Sequence, residues 1–367
     1  MLNDRRLGNN GFYVGSDAER VRAGLTPEQL TLYWEVAEFE SRQLGRSDGD
    51  VHTRLRDIAR RAFTPRRIAL LTDAVSRYAD ELLDSLAGSE DTVEVVSSLT
   101  HVLPLMVIVD LLGVPQADRG LIRDWSSRLG RWRGANSPEI LADTHRAMTE
   151  FRDYVRGLIA AKRDVEPETD LIAALTAAGE GGRLDAEELT AFYVMLLLAG
   201  HETTTNLLGI GLLELHRRRD QWELLVEDPA LVRTGVEELL RFVSPVQFVG
   251  RVALEPIRIG DIRIEEGDSV LPIIASANHD AAVFEDPERL DLRRPNAREH
   301  IAFGYGPHFC LGKQLAQLEA GIVLRKLASR FPDLEVDTDQ ARFGGSLGLR
   351  ALVSLPVRFG LDHGEAR

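Results

Sequence analysis

Apolar residues recur at helical spacing through the first two-thirds of the chain, and strand-like alternation enters only after residue 245. Thr26-Pro27-Glu28-Gln29 supplies a cap, a first-turn proline and a capping-box glutamine ahead of Leu30 to Phe39, which predicts a helix start there. Thr64-Pro65 repeats the cap and the proline. Asp185 followed by Glu188 opens a long helix that carries the apolar run Ala191 to Gly200. Gly179-Glu180-Gly181-Gly182, just before it, reads as a surface loop too short to separate independent cores. Ile257-Arg258-Ile259, then Gly260-Asp261, then Ile262-Arg263-Ile264 predicts a hairpin, and Val270 to Ala275 a short apolar strand. A glycine- and proline-punctuated segment leads to Cys310, after which Leu311, Leu315, Leu318 and Ile322 mark a final helix. The expected fold is mainly α with small β-sheets, an α+β architecture. It would form one mixed domain over residues 1–367, helix-rich over 1–245 and β-containing from 246.

Composition narrows the class of protein. With 44% hydrophobic and 28% charged residues the chain reads as globular, and its longest apolar run is too short to span a bilayer. Met1-Leu2-Asn3-Asp4-Arg5-Arg6 has no apolar stretch behind it and does not read as a signal peptide, so a cytoplasmic location away from membranes is expected. A net charge of −14 argues against a nucleic-acid partner. Arg54, Arg56, Arg60, Arg61, Arg66 and Arg67 interrupt that acidity and could dock an acidic protein, the alternative being a solvated helix face. The single cysteine excludes intrachain disulfides and any multi-cysteine zinc or iron–sulfur site.

That cysteine lies in Phe303-Gly304-Tyr305-Gly306-Pro307-His308-Phe309-Cys310-Leu311-Gly312, at the start of the last helical period. The helix dipole and nearby N–H groups there would favour thiolate over thiol, and the glycines would let backbone approach a flat ligand. The segment resembles the haem-binding loop of the cytochrome P450 family, whose pattern of Phe, Gly, Gly, His or Arg, Cys and Gly it matches. The resemblance implies Cys310 as ligand to the iron of haem b, with Phe303, Gly304, His308 and Gly312 around the cofactor. It also implies that thiolate donation favours O–O cleavage with O2 as co-substrate.

Ala199-Gly200-His201-Glu202-Thr203-Thr204-Thr205 interrupts the apolar helix with weak helix formers, and threonine hydroxyls bonding back to the preceding turn would bend it. The segment is similar to the family's oxygen-binding helix. By that resemblance Ala199 and Gly200 would border the cofactor, Gly200 leaving room for O2, while Thr203 hydrogen-bonds it and Glu202 relays protons. Glu238 and Arg241, three apart, would otherwise be a weak helical ion pair; they resemble the family's Glu-x-x-Arg element, and Arg294 would complete a buried network that serves folding and haem retention. His52 and Arg56, one helical turn apart, can aim two donors at one anion. The resemblance directs them, with Arg251 and His308, at the haem propionates. The matched elements span roughly residues 50 to 320 in the family's order.

Ahead of Leu2-Asn3-Asp4-Arg5-Arg6 the family places a further helix and two strands, so some of the N-terminal layer is expected to be lacking. Gly344-Gly345-Ser346-Leu347-Gly348 imitates a serine-hydrolase elbow, but only 21 residues follow Ser346, too few for the rest of such a site. Gly209-Ile210-Gly211 lies mid-helix without a third glycine, so no dinucleotide site is supported. Electrons would come from a separate ferredoxin-type donor with its NAD(P)H-dependent reductase, docking near Arg54 to Arg67 and Lys313. Val246, Gln247, Phe248, Ser346 and the stretch from Leu7 to Asp50 are expected to shape a pocket for a small, largely hydrophobic substrate of secondary-metabolite biosynthesis. Coupling, dehydration, isomerisation or haem sensing are the alternatives to monooxygenation.

Overall fold

The computed structural model describes residues 1–9, 21–89, 91–132, 137–162, 171–178, 184–346, 348–360 and 362–364. The Gly179 to Gly182 loop and residues 10–20 of the pocket segment lie outside them. Helices carry the site: α1 (Pro27–Ser41), α2 (Gly49–Ala62), α3 (Val102–Leu111), α4 (Arg119–Trp132), α5 (Pro138–Ala161), α6 (Ala186–Ala199), α7 (Glu202–Arg217), α8 (Val232–Val243) and α9 (Lys313–Arg330). Their starts follow the local chemistry. The Thr26 N–H donates to Gln29 Oε1 at 2.9 Å while the Gln29 N–H donates to Thr26 Oγ1 at 3.4 Å, and Asp185 and Glu188 exchange the same pair of bonds at α6.

The strands are β1 (Leu7–Gly8), β2 (Val93–Glu94), β3 (Arg251–Ala253), β4 (Ile257–Ile259), β5 (Ile262–Ile264), β6 (Ser269–Val270), β7 (Glu335–Val336), β8 (Arg342–Ser346), β9 (Leu349–Ser354) and β10 (Pro356–Arg358). They form small antiparallel sheets ordered β1-β3-β6, β2-β10-β7, β4-β5 and β8-β9. The β4–β5 hairpin turns at Gly260, whose φ of +58° suits glycine. The apolar stretch from Val270 to Ala275 is not one strand: β6 ends at Val270, an isolated antiparallel bridge joins Ile273 to Phe248, and Ile274–Ala277 is a short helix. Pro272, which has no N–H to give a ladder, lies between the strand's end and that bridge.

One apolar cluster reaches from Tyr33 to Phe359, with α7 running through it fully buried from Thr204 to Leu215. Among the described residues no helix is long and apolar enough to cross a membrane.

Candidate active site

The long helix breaks where weak helix formers were expected to disturb it. Gly200 and His201 fall between α6 and α7, with His201 at φ −119°. Side chains bond back across the break: His201 Nδ1 lies 2.7 Å from Leu197 O, Thr203 Oγ1 donates to Ala199 O at 3.3 Å, and Asn206 Nδ2 donates to Glu202 O at 2.8 Å. Between buried flanks, Ala199 is exposed and Gly200, Glu202 and Thr203 are half-buried. Ala199 and Thr203, four apart, share one helix face. A Cβ at Gly200 would lie 2.5 Å from Ile108 Cγ1, so this glycine answers to close packing by α3 in that direction. Glu202 Oε1 reaches towards α4, 3.7 Å from the place of a Gly130 Cβ.

Cys310 sits two residues before the Gly312 cap of α9. Its N–H donates to Phe303 O at 2.9 Å, closing a loop in which Gly304 and Gly306 take φ of +71° and +79°. Cys310 keeps accessible surface, although the surrounding protein desolvates its sulfur. Burial pushes its thiol up, against the lowering pull of the Gly312 and Lys313 N–H groups and of Arg56. Helix-terminus stabilisation of a thiolate was expected to win. Desolvation outweighs it, and a bound metal ion would reverse the balance.

Basic side chains gather beside the loop. The rings of His52 and His308 stand 4.1 Å apart, and Arg56 Nη2 donates to Phe309 O. Burial, then His308 and Arg56, hold His52 down to about 4. His52 Nε2 and Arg56 Nε are buried without a partner among the described residues. Arg251 is 9% exposed and donates to Gly250 O at 2.9 Å. Sequence reasoning missed Asp48, whose carboxylate lies 3.4 Å from His308 Nε2 and accepts from the Asn9 N–H at 2.6 Å; a lone aspartate ahead of a helix carries no motif.

Two arginines of the expected docking run turn inward. Arg54 pairs with Glu188 at 2.5 Å and Arg56 meets the cysteine loop, which leaves Arg60, Arg61 and Arg66 exposed. Lys313 Nζ lies over the rings of Phe303 and Phe309 at 5.5 and 5.7 Å.

Glu238 and Arg241 are both 0% exposed and joined by bonds of 2.7 and 2.9 Å; Arg294 Nε donates to the same carboxylate at 3.0 Å. Both guanidinium groups then satisfy backbone carbonyls, among them Asn278 O, Pro287 O and Glu285 O. The structure also gathers Val246, Gln247 and Phe248 at the β8–β9 turn: Val246 bridges Leu349, the Gln247 N–H donates to Gly348 O at 3.0 Å, and the Phe248 ring is 3.5 Å from the place of a Gly348 Cβ. Ser346 ends β8, paired with Leu349, and its side chain lies outside the description.

The family described as Cytochrome P450 matches residues 216–343. The polyketide biosynthesis cytochrome P450 PksS of Bacillus subtilis is 39% identical over 327 residues, 88% of this chain and 79% of that protein. The chain belongs to the cytochrome P450 family. The 6-deoxyerythronolide B hydroxylase of Saccharopolyspora erythraea, another relative, is 37% identical over 94% of this chain and 85% of its own length. A crystal structure of P450BioI with an acyl carrier protein superposes with a TM-score of 0.87 at 32% identity, covering 98% of this chain and 88% of that one. This cytochrome P450 is a monooxygenase of the kind that uses haem b and O2. Its residues suit that cofactor: the Cys310 thiol keeps accessible surface, and two buried donor nitrogens without a partner among the described residues, His52 Nε2 and Arg56 Nε, suit a dianion.

Proposed function

We propose that this cytochrome P450 inserts one oxygen atom from O2 into a small, largely hydrophobic substrate of secondary-metabolite biosynthesis, working as one domain in the cytoplasm. The reading is carried by one observation: the single thiol keeps accessible surface in a loop against which Arg56 and His52 pack, and His52 Nε2 and Arg56 Nε are buried without a partner among the described residues. Cys310 would ligate the haem iron, with Phe303, Gly304 and Gly312 forming the loop around it. His52, Arg56, Arg251 and His308 would hold the propionates. Bound haem supplies O2 activation, and thiolate donation favours O–O cleavage.

The chain's own residues do the rest. Thr203, on the accessible face with Ala199, would place a hydroxyl towards bound O2, and Glu202 would pass protons in from the α4 side. Glu238, Arg241 and Arg294 would hold the cysteine side of the fold. Val246, Gln247, Phe248 and the turn after Ser346 would line the substrate's end of the pocket.

Electrons would reach the enzyme from a ferredoxin-type donor and its NAD(P)H-dependent reductase, against Arg60, Arg61 and Arg66. A lone reduced cysteine suits a reducing compartment. The names of the hydroxylase and of the polyketide-pathway relative support the substrate class.

The test is the absorbance spectrum of the dithionite-reduced protein with and without carbon monoxide. A red-shifted Soret band that disappears in Cys310→Ala is expected. A band typical of histidine ligation, or one that survives in Cys310→Ala, overturns the ligand assignment.

A further inference from the structure

The break between α6 and α7 puts a histidine where a helix normally has only backbone. His201 is 1% exposed, and its Nδ1 meets Leu197 O, the carbonyl that a continuous helix would give to the His201 N–H. The helical ladder resumes one turn later, with the Thr205 N–H on His201 O at 2.9 Å. On its other side the imidazole packs edge-to-face on His101, at 5.6 Å and 84°, from the turn that leads into α3. From that same helix Ile108 fills the Cβ space of Gly200. Neighbouring α3 therefore clamps both residues of the break, and the ring can leave Leu197 O only by unpacking from His101.

We infer that His201 is a positioning residue: its Nδ1–H, held by the His101 ring, caps the broken turn and fixes the backbone from which Glu202 and Thr203 project. Burial holds the His201 ring neutral down to about 4, so it carries one proton, and the bond to a carbonyl assigns that proton to Nδ1. Asn206 makes the equivalent bond one turn on, from an amide to Glu202 O, which shows that a shorter donor reaches an i−4 carbonyl in this helix. The inference deepens the proposed function and rests on its assignment of Glu202 and Thr203.

The test uses the haem-loaded protein with His201→Leu, His201→Asn and Thr203→Ala. Two measurements need no substrate: the infrared C–O stretch of the reduced carbon monoxide complex, and amide hydrogen exchange at Glu202 to Thr204. His201→Leu is expected to shift or split the C–O band and to raise exchange in that turn about five-fold, the worth of one hydrogen bond. His201→Asn is expected to restore both. A native band and native exchange in His201→Leu, or an asparagine variant no better than leucine, overturns the inference. Should His201→Leu fail to hold haem, 15N spectra of the native carbon monoxide complex decide, with His201 identified by the peak lost in His201→Asn. An Nδ1–H tautomer supports the inference, and an Nε2–H or charged ring overturns it. An unmoved C–O band in Thr203→Ala instead counts against the placement of Thr203, while exchange and tautomer still judge His201.

Discussion

Ile108 leaves no space for a methyl group on residue 200, so Gly200→Ala is expected to cost about 1–3 kcal/mol by overpacking, and Ile108→Ala in the same chain to recover much of it. Urea unfolding of the single and double variants measures both. Glu319 is 1% exposed with neither carboxylate oxygen partnered among the described residues, and burial pushes its carboxyl well up. Glu319→Met, similar in length and free of charge, is expected to raise the melting temperature at pH 8, where the native carboxyl is under most pressure to ionise. Residues such as Ile108, His101 and Asp48 were illegible in the sequence because their importance comes from what a distant segment brings against them. Cys310, Glu202 and Thr203 stood out because glycines or weak helix formers surround them in otherwise regular patterns.

Helix starts could be read from sequence because capping is local: four residues suffice for the exchange between Asp185 and Glu188. Asp185→Ala should lower stability by about 1 kcal/mol, seen as a lower urea midpoint. The Glu238–Arg241 pair was only half legible. Its spacing showed in the sequence, but the carbonyls of Asn278, Pro287 and Arg289 that complete it come from a non-repetitive loop. Arg241→Ala leaves the fully buried Glu238 carboxylate with only Arg294 of its two guanidinium partners and should cost about 3–5 kcal/mol, with haem lost from the purified protein as its absorbance reports. The apolar run at 270–275 misled because composition favours a strand there while Pro272 denies it a donor.

Over the whole molecule, acid should loosen the fold in a defined window. Burial holds His101, His201 and His216 down to about 4, whereas an unfolded imidazole titrates near about 6.5. Between those values the unfolded chain takes up protons that the folded chain refuses, so stability is complete above the window and falls as pH drops through it. Urea midpoints measured from pH 7 to 4 check the slope. The net charge of −14 sets a second expectation, because the acidic donor proposed above would have to find Arg60, Arg61 and Arg66 against general repulsion. Its reduction rate should fall as added salt shortens the screening length from about 30 to 8 Å, and fall further in Arg60→Glu. The mainly helical body and the small later sheets were legible because periodicity survives along a single strand of text, whereas the grouping of His52, Arg56, Arg251 and His308 came only from the family resemblance, since no spacing joins such distant positions. Asn206 has a bearing on redesign. Its amide accepts from the Leu352 N–H of β9 at 3.1 Å while donating to Glu202 O, so the β8–β9 hairpin and the break in the long helix share one fastening. A breeder of new specificities who reshapes that hairpin for a bulkier guest also tugs on the break, and libraries at 349–352 should yield variants that bind well but squander electrons.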